Sequence, residues 1–236
     1  MSRDVIDHLA EIPAGSRLDE IRRARPDARE HAQQSFLALL EPAEPGALAL
    51  EDRYAVAAYV ALLHDAEAAE AADADDTRSR SSSFYLELLA DAAEPAILDA
   101  VRDAAVAGRA SGPYGDYREP QLRAEAVAGP VATIERGVLG ERLAAALEHA
   151  HLLVLHPRDA RPESLRALTA AGWGADAIVS LSQLIAFLAF QLRLVHGLRV
   201  LAATPAPATP APAAPATATP ASATPASATE LEEARA

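Results

Sequence analysis

An all-α fold is predicted for this chain of 236 residues by three observations: alanine dominates, aromatic residues make up only 4%, and a long stretch near the C-terminus is apolar around most of a helical cylinder. That stretch, Gly172 to Leu201, begins in a Gly-Trp-Gly turn with Asp176 in its first turn and meets no proline before Pro205. Ile178, Leu181, Ile185, Leu188, Leu192 and Val195 form one broad stripe, with Phe187, Phe190 and Leu194 beside it, so burial of the whole helix is expected. Its length is also that of a membrane span. Gln183, Gln191, Arg193 and His196 interrupt it, however, and an arginine at a bilayer centre costs about 2.5–3.5 kcal/mol; a central helix of a bundle, covered by another subunit, is the expectation.

The elements before it follow from capping and breaking residues. Val5, Ile6 and Leu9 mark a first helix that ends at Pro13 and Gly15. Ser16 offers an N-cap to a second, and Pro26 opens a third that carries Phe36, Leu37, Leu39 and Leu40 and stops at Pro42. These form an arm over residues 1–46. A longer helix is expected from Glu51 to about Asp73, its second half only alanine and acid, followed by a polar break at Thr77 to Ser83. Phe84 to Leu89 and Ile97 to Val106 are helical on either side of Pro95. Ser111 to Gln121 is a tyrosine-bearing Gly/Pro loop that either packs on a surface or gates a pocket, and 127–138 is ambiguous. Leu139 to Leu155 is helical, closed by His156-Pro157, and 162–171 is a short helix. The domain proper covers 47–202. From 203 to 236 the chain becomes Thr, Pro, Ala and Ser in short repeats, which predicts a disordered tail.

A net charge of −13 and a pI near 4.9 argue against nucleic-acid binding, which needs a basic footprint. There is no cysteine, which removes disulfides, thiolate metal sites and thiol nucleophiles together. The N-terminus lacks a signal-peptide pattern, so the cytoplasm is the expected compartment. There is no Gly-rich phosphate loop after a strand, and no cofactor is implied.

Leu48 to Asp65, Leu143 to Pro157, Ala167 to Trp173 and the long helix through Phe190-Gln-Leu-Arg together resemble the carboxymuconolactone decarboxylase and alkylhydroperoxidase D-like superfamily, in a cysteine-free branch. The resemblance covers roughly residues 1–201. It implies a helical bundle; the homo-oligomer is expected because a helix as apolar as the last one needs more cover than one small chain provides. In active members a glutamate, a Cys-x-x-Cys pair and a histidine reduce peroxides; where the thiols would lie, this chain reads Asp65-Ala-Glu-Ala-Ala-Glu70. Only thiol sulfur cycles through sulfenate and disulfide, so that reaction is closed to it. What the resemblance leaves is a pocket for a small organic ligand or partner, acid-base catalysis of decarboxylase or isomerase type, or a purely structural role. Candidate catalytic groups are His64, Glu51 and Asp65. Candidate ligand-binding groups are Gln183, Gln191, Arg193 and His149. Arg193 needs an anionic or carbonyl partner in so apolar a helix, either structural, such as Asp159 or a helix C-terminus, or a bound carboxylate. His149 and His156 are expected to share a helix face with His151 pointing elsewhere, too far apart in sequence for a metal site.

Overall fold

The computed structural model describes residues 4–69 and 75–204, and within these the fold is all-α with no strand. The disordered tail is expected from 203; Ala203 instead closes the last helix, while the tail from 205 on and the middle of the acidic stretch, 70–74, lie outside the described residues. Nine α-helices follow in order: α1 (Val5–Leu9), α2 (Arg17–Arg23), α3 (Pro26–Leu40), α4 (Leu50–Ala69), α5 (Asp75–Ala92), α6 (Pro95–Gly108), α7 (Gly140–Leu155), α8 (Pro162–Ala170) and α9 (Ala175–Ala203). A 3-10 turn, Pro120–Glu125, and one isolated bridge between Gly115 and Val127 punctuate the long connection from α6 to α7; the ambiguous 127–138 stretch is otherwise irregular up to Gly137.

α4 is the hub. Its residues Ala55 to Ala61 are buried without interruption, and α5, α6, α7 and α9 all pack on it. A run so rich in alanine allows this because small side chains let neighbouring helices approach from every side. The expected polar break at Thr77–Ser83 is instead part of α5. Ser81 and Ser82 are buried, and the Ser82 hydroxyl donates to the Asp65 carboxylate on α4. Contact with α4 thus overrides the weak helix preference of serine.

The arm is tied down by charge and by capping. Asp4 caps α1 by accepting from the Asp7 N–H at 2.9 Å, and Ser16 caps α2 through the Asp19 N–H at 3.3 Å. The Arg22 guanidinium bridges Asp4 at 2.6 Å and Asp7 at 2.5 Å, and Arg29 on α3 joins the same two carboxylates and Asp19. The backbone N–H of Gly15, 2.7 Å from Asp19, holds that carboxyl below its ordinary value, with Arg23 and Arg29 acting in the same sense against its burial. Below this network Val5, Ile6, Leu9, Phe36 and Leu40 enter the same apolar cluster as α4, α7 and α9, and the described residues form one compact unit.

α9 differs from the expectation of full burial. Leu181, Leu184, Ile185, Leu188, Leu192 and Val195 are buried among α3, α4 and α7, whereas Val179, Phe190 and Val200 stand exposed on the opposite side. By length and composition alone it is also apolar enough to cross a membrane. An apolar pattern that runs all round a helix does not say which side is covered.

Within the core, Tyr85 donates to the carboxamide oxygen of Gln191, both fully buried, while the Gln191 Nε2 has no hydrogen-bond partner. Tyr85→Phe should therefore destabilise the fold by about 1–3 kcal/mol, because it strands a buried acceptor. Tyr85→Phe combined with Gln191→Met should recover most of that loss in chemical denaturation, since the whole polar pair is then gone. Additive losses would mean that the pair is not coupled.

Candidate functional site

The Ala/Gly side of α6 lines a largely apolar hollow. Ala100, Ala104, Ala107 and Gly108 fall at helical spacing along one face, and small side chains there leave space that larger ones would fill. Opposite them lie Val131, Ala132, Thr133, Ile134, Val138 and Leu139 from the stretch before α7. Together they line a half-open cavity of about 460 Å³, within the range that holds a small organic molecule. Its walls are aliphatic, and Asp103 and Glu135 supply the charge at the rim.

One ion pair holds the outer wall. On α7, Glu148 accepts from the Ile134 N–H at 2.9 Å and takes both ends of the Arg136 guanidinium, at 2.5 and 2.9 Å. Such a two-pronged pair fixes orientation as well as distance. It pins an otherwise irregular segment over α6.

Behind Gly108 lies a buried polar layer. The His151 Nε2 stands 3.1 Å from the Gly108 carbonyl, and the Tyr59 hydroxyl, fully buried on α4, has no hydrogen-bond partner. A Cβ at position 108 would come within 2.9 Å of that hydroxyl and 3.2 Å of the imidazole. Glycine is needed here for close approach. Burial pushes the Tyr59 phenol up and keeps it neutral. Burial likewise lowers His151, opposed by the Gly108 carbonyl and assisted by His156.

Contrary to the expected face-sharing, His151 and His156 stack at 5.8 Å, and Tyr114 packs on His156 at 5.2 Å. His156 is the C-cap of α7, with φ −129°, so it has left the helical geometry that spacing arguments assume. Its Nε2 lies 2.7 Å from the Pro130 carbonyl. The Tyr114 loop is thus packed onto the end of α7, its N–H donating to the Leu155 carbonyl at 2.6 Å. His149 turns away to Ser182 on α9, 3.1 Å from its hydroxyl, and burial lowers its pKa.

No protein-family model, curated protein or solved structure matches the chain. The residues themselves must therefore carry any functional reading.

The residues singled out from the sequence do not converge. His64 is buried next to Asp65 on α4, but Glu51 stands 13 positions earlier on the same helix, about 20 Å away at a rise of about 1.5 Å per residue. Glu51 therefore cannot share a proton with His64. None of His64, Asp65 and Glu51 lines the α6 cavity. Gln183, Gln191 and Arg193 do not border one space either: Gln191 is fully buried against Tyr85, whereas Gln183 and Arg193 are exposed on the outer side of α9. Eight positions separate the two glutamines and two separate Gln191 from Arg193, and at about 100° per residue those offsets turn the side chains apart.

Of the groups that do meet, His151 is visible in the sequence as one of the α7 histidines, whereas Tyr59, Gly108 and the Ala face of α6 are not marked out by residue type. The spacing of Ala100, Ala104, Ala107 and Gly108 was the available signal.

A second hollow of about 350 Å³ lies on the arm, between Asp4, Arg23, Arg29, Glu30, Gln33 and Gln34. Asp4, Arg23 and Arg29 already take part in the ion pairs of the arm, which leaves little there to recognise a ligand.

Proposed function

We propose that this chain is a cysteine-free relative of the carboxymuconolactone decarboxylase and alkylhydroperoxidase D-like superfamily that binds a small, largely apolar organic molecule in the α6 cavity and carries out no thiol redox chemistry. The observation that carries the reading is the combination at that cavity: largely aliphatic walls around about 460 Å³, charged in its lining by the carboxylates Asp103 and Glu135, while His64, Asp65 and Glu51 lie elsewhere. A binding site needs shape and apolar area, whereas acid-base catalysis needs an acid and a base within hydrogen-bond reach of one reacting atom. The succession of α7, a proline turn, α8, the Gly172 turn and the apolar α9 supports the family resemblance. The absence of cysteine removes the peroxidatic step.

The test is a titration with N-phenyl-1-naphthylamine, a neutral probe that fluoresces in apolar surroundings, against the wild-type chain and Ala104→Phe. The phenyl ring should fill the cavity and weaken binding by about tenfold or more with helicity retained, the loss expected when a hydrophobic contact area is removed from a ligand. Equal binding by both proteins, or steady thiol-dependent turnover of an organic peroxide by the wild type, would overturn the reading.

A further inference from the structure

The exposed side of α9 carries a second pattern within the apolar one. Val179, Gln183, Ala186, Phe190, Arg193, Gly197 and Val200 are all exposed and succeed one another at alternating steps of four and three. That is the repeat of 3.5 residues by which two helices keep one seam in contact. Val179, Phe190 and Val200 retain 56%, 51% and 53% of their surface, and the half-buried Leu194 and Leu201 widen the strip along one flank. The helix has 29 residues, about eight turns. A strip this long and apolar is costly to leave in water.

We propose that a second copy of this chain covers the strip, with the two α9 helices paired antiparallel about a two-fold axis near Leu188. Charge decides the direction. In a parallel pair each seam residue meets its own equivalent, which sets Arg193 on the partner's Arg193 and Phe190 on the partner's Phe190. In the antiparallel pair Arg193 meets the partner's Gln183, whose carboxamide oxygen accepts from a guanidinium, and like charges stay apart.

Size decides the register. Centred on Leu188, the pairing seats Phe190 over the partner's Ala186 and Val179 over the partner's Gly197, a larger side chain against a small one at both of these apolar positions. Open space stands over Gly197, where an added Cβ meets nothing within 4 Å. The antiparallel arrangement also sets the two helix dipoles head to tail. A face that binds itself through one two-fold axis closes as a dimer and leaves no free edge. The pairing specifies the interface for the expected homo-oligomer and is independent of what the α6 cavity binds.

The absence of cysteine makes the test direct. Full-length Val179→Cys and Gly197→Cys proteins, alone and mixed in equal amounts, are treated with a short bifunctional maleimide. The antiparallel register predicts cross-linked dimers from the mixture and few from either variant alone. Cross-linking of Val179→Cys with itself would mean a parallel pair, and no cross-linking in any tube would mean an uncovered seam; either result overturns the proposal. Sedimentation equilibrium should show a dimer for the wild type, and Phe190→Glu should weaken dimerisation by about tenfold or more while leaving helicity and probe binding in the α6 cavity unchanged. A Phe190→Glu protein that dimerises as tightly as wild type would also overturn it, as would recovery of the wild type with lipid vesicles, since α9 is then occupied by a bilayer.

Discussion

Arg22→Met is expected to destabilise the fold by about 3–5 kcal/mol, the cost of breaking a buried ion pair from one side. Arg22, Asp4 and Asp7 each retain only 8% of their side-chain surface, and Arg22 is the more buried of the two cations, with Arg29, that reach both carboxylates. Methionine keeps the aliphatic stem and removes the charge. Two carboxylates are then left with Arg29, which is 30% exposed and already shared with Asp19. For a domain near 200 residues the loss corresponds to a fall in Tm of roughly 6–20 °C, and hydrogen exchange should locate the opening in α1 and α2. The double variant Arg22→Met with Asp7→Asn should be less destabilised than Arg22→Met alone, because the stranded charge has been removed with its partner. A double variant as unstable as the sum of both singles would show that the network contributes packing rather than charge pairing.

Trp173→Ala is expected to cost a similar 3–5 kcal/mol, the usual range for truncating a buried aromatic. Trp173 is 1% exposed at the turn between α8 and α9, and its indole N–H donates to the Arg142 carbonyl at 2.9 Å. The Arg142 guanidinium lies over the ring at 4.0 Å, donates to the Ala47 carbonyl and faces Asp52 at 3.7 Å. One side chain therefore ties the start of α9 to the first turns of α7 and α4. Burial raises the Asp52 carboxyl and Arg142 opposes that rise, so the ring also sets where this cation sits. Trp173→Phe keeps most of the apolar area but loses the N–H, and should cost about 1 kcal/mol. Circular dichroism melts resolve the two, since Trp173 is the sole tryptophan and fluorescence is lost with it. Equal losses for both variants would assign the effect to the hydrogen bond rather than to packing.

Much of the helical framework is legible in the sequence because punctuation residues act locally. Pro157, Pro162 and Gly172 bound the last three helices, and Ser16 and Pro26 start α2 and α3 where their chemistry requires. The serine-rich start of α5 is not legible in this way: Ser81 and Ser82 are helical because α4 is beside them, and a linear chain does not display its neighbours. The exposed side of α9 is hidden for the opposite reason. Apolar residues all round the helix mask the exposed strip from Val179 to Val200 until the packing reveals which side is open.

The site was less legible than the fold. Titratable residues attract attention as catalytic candidates, yet a helix separates Glu51 from His64 by geometry that the spacing alone already contains. Tyr59 and Gly108 are inconspicuous in sequence because each sits within an alanine-rich run. Their significance comes from burial and from the close approach of α4, α6 and α7. His156 shows a related limit, since a residue one step beyond a helix end no longer obeys helical periodicity.

The central claim, a ligand-binding cavity on α6 in a protein without thiol chemistry, is tested most directly by mapping amide NMR shifts of the wild-type chain during titration with a neutral aromatic probe such as N-phenyl-1-naphthylamine. Shifts that saturate together at Ala104, Gly108, Ile134 and Leu139 are the predicted result. Saturating shifts confined to the surroundings of His64, or no saturable shift at all, would contradict it.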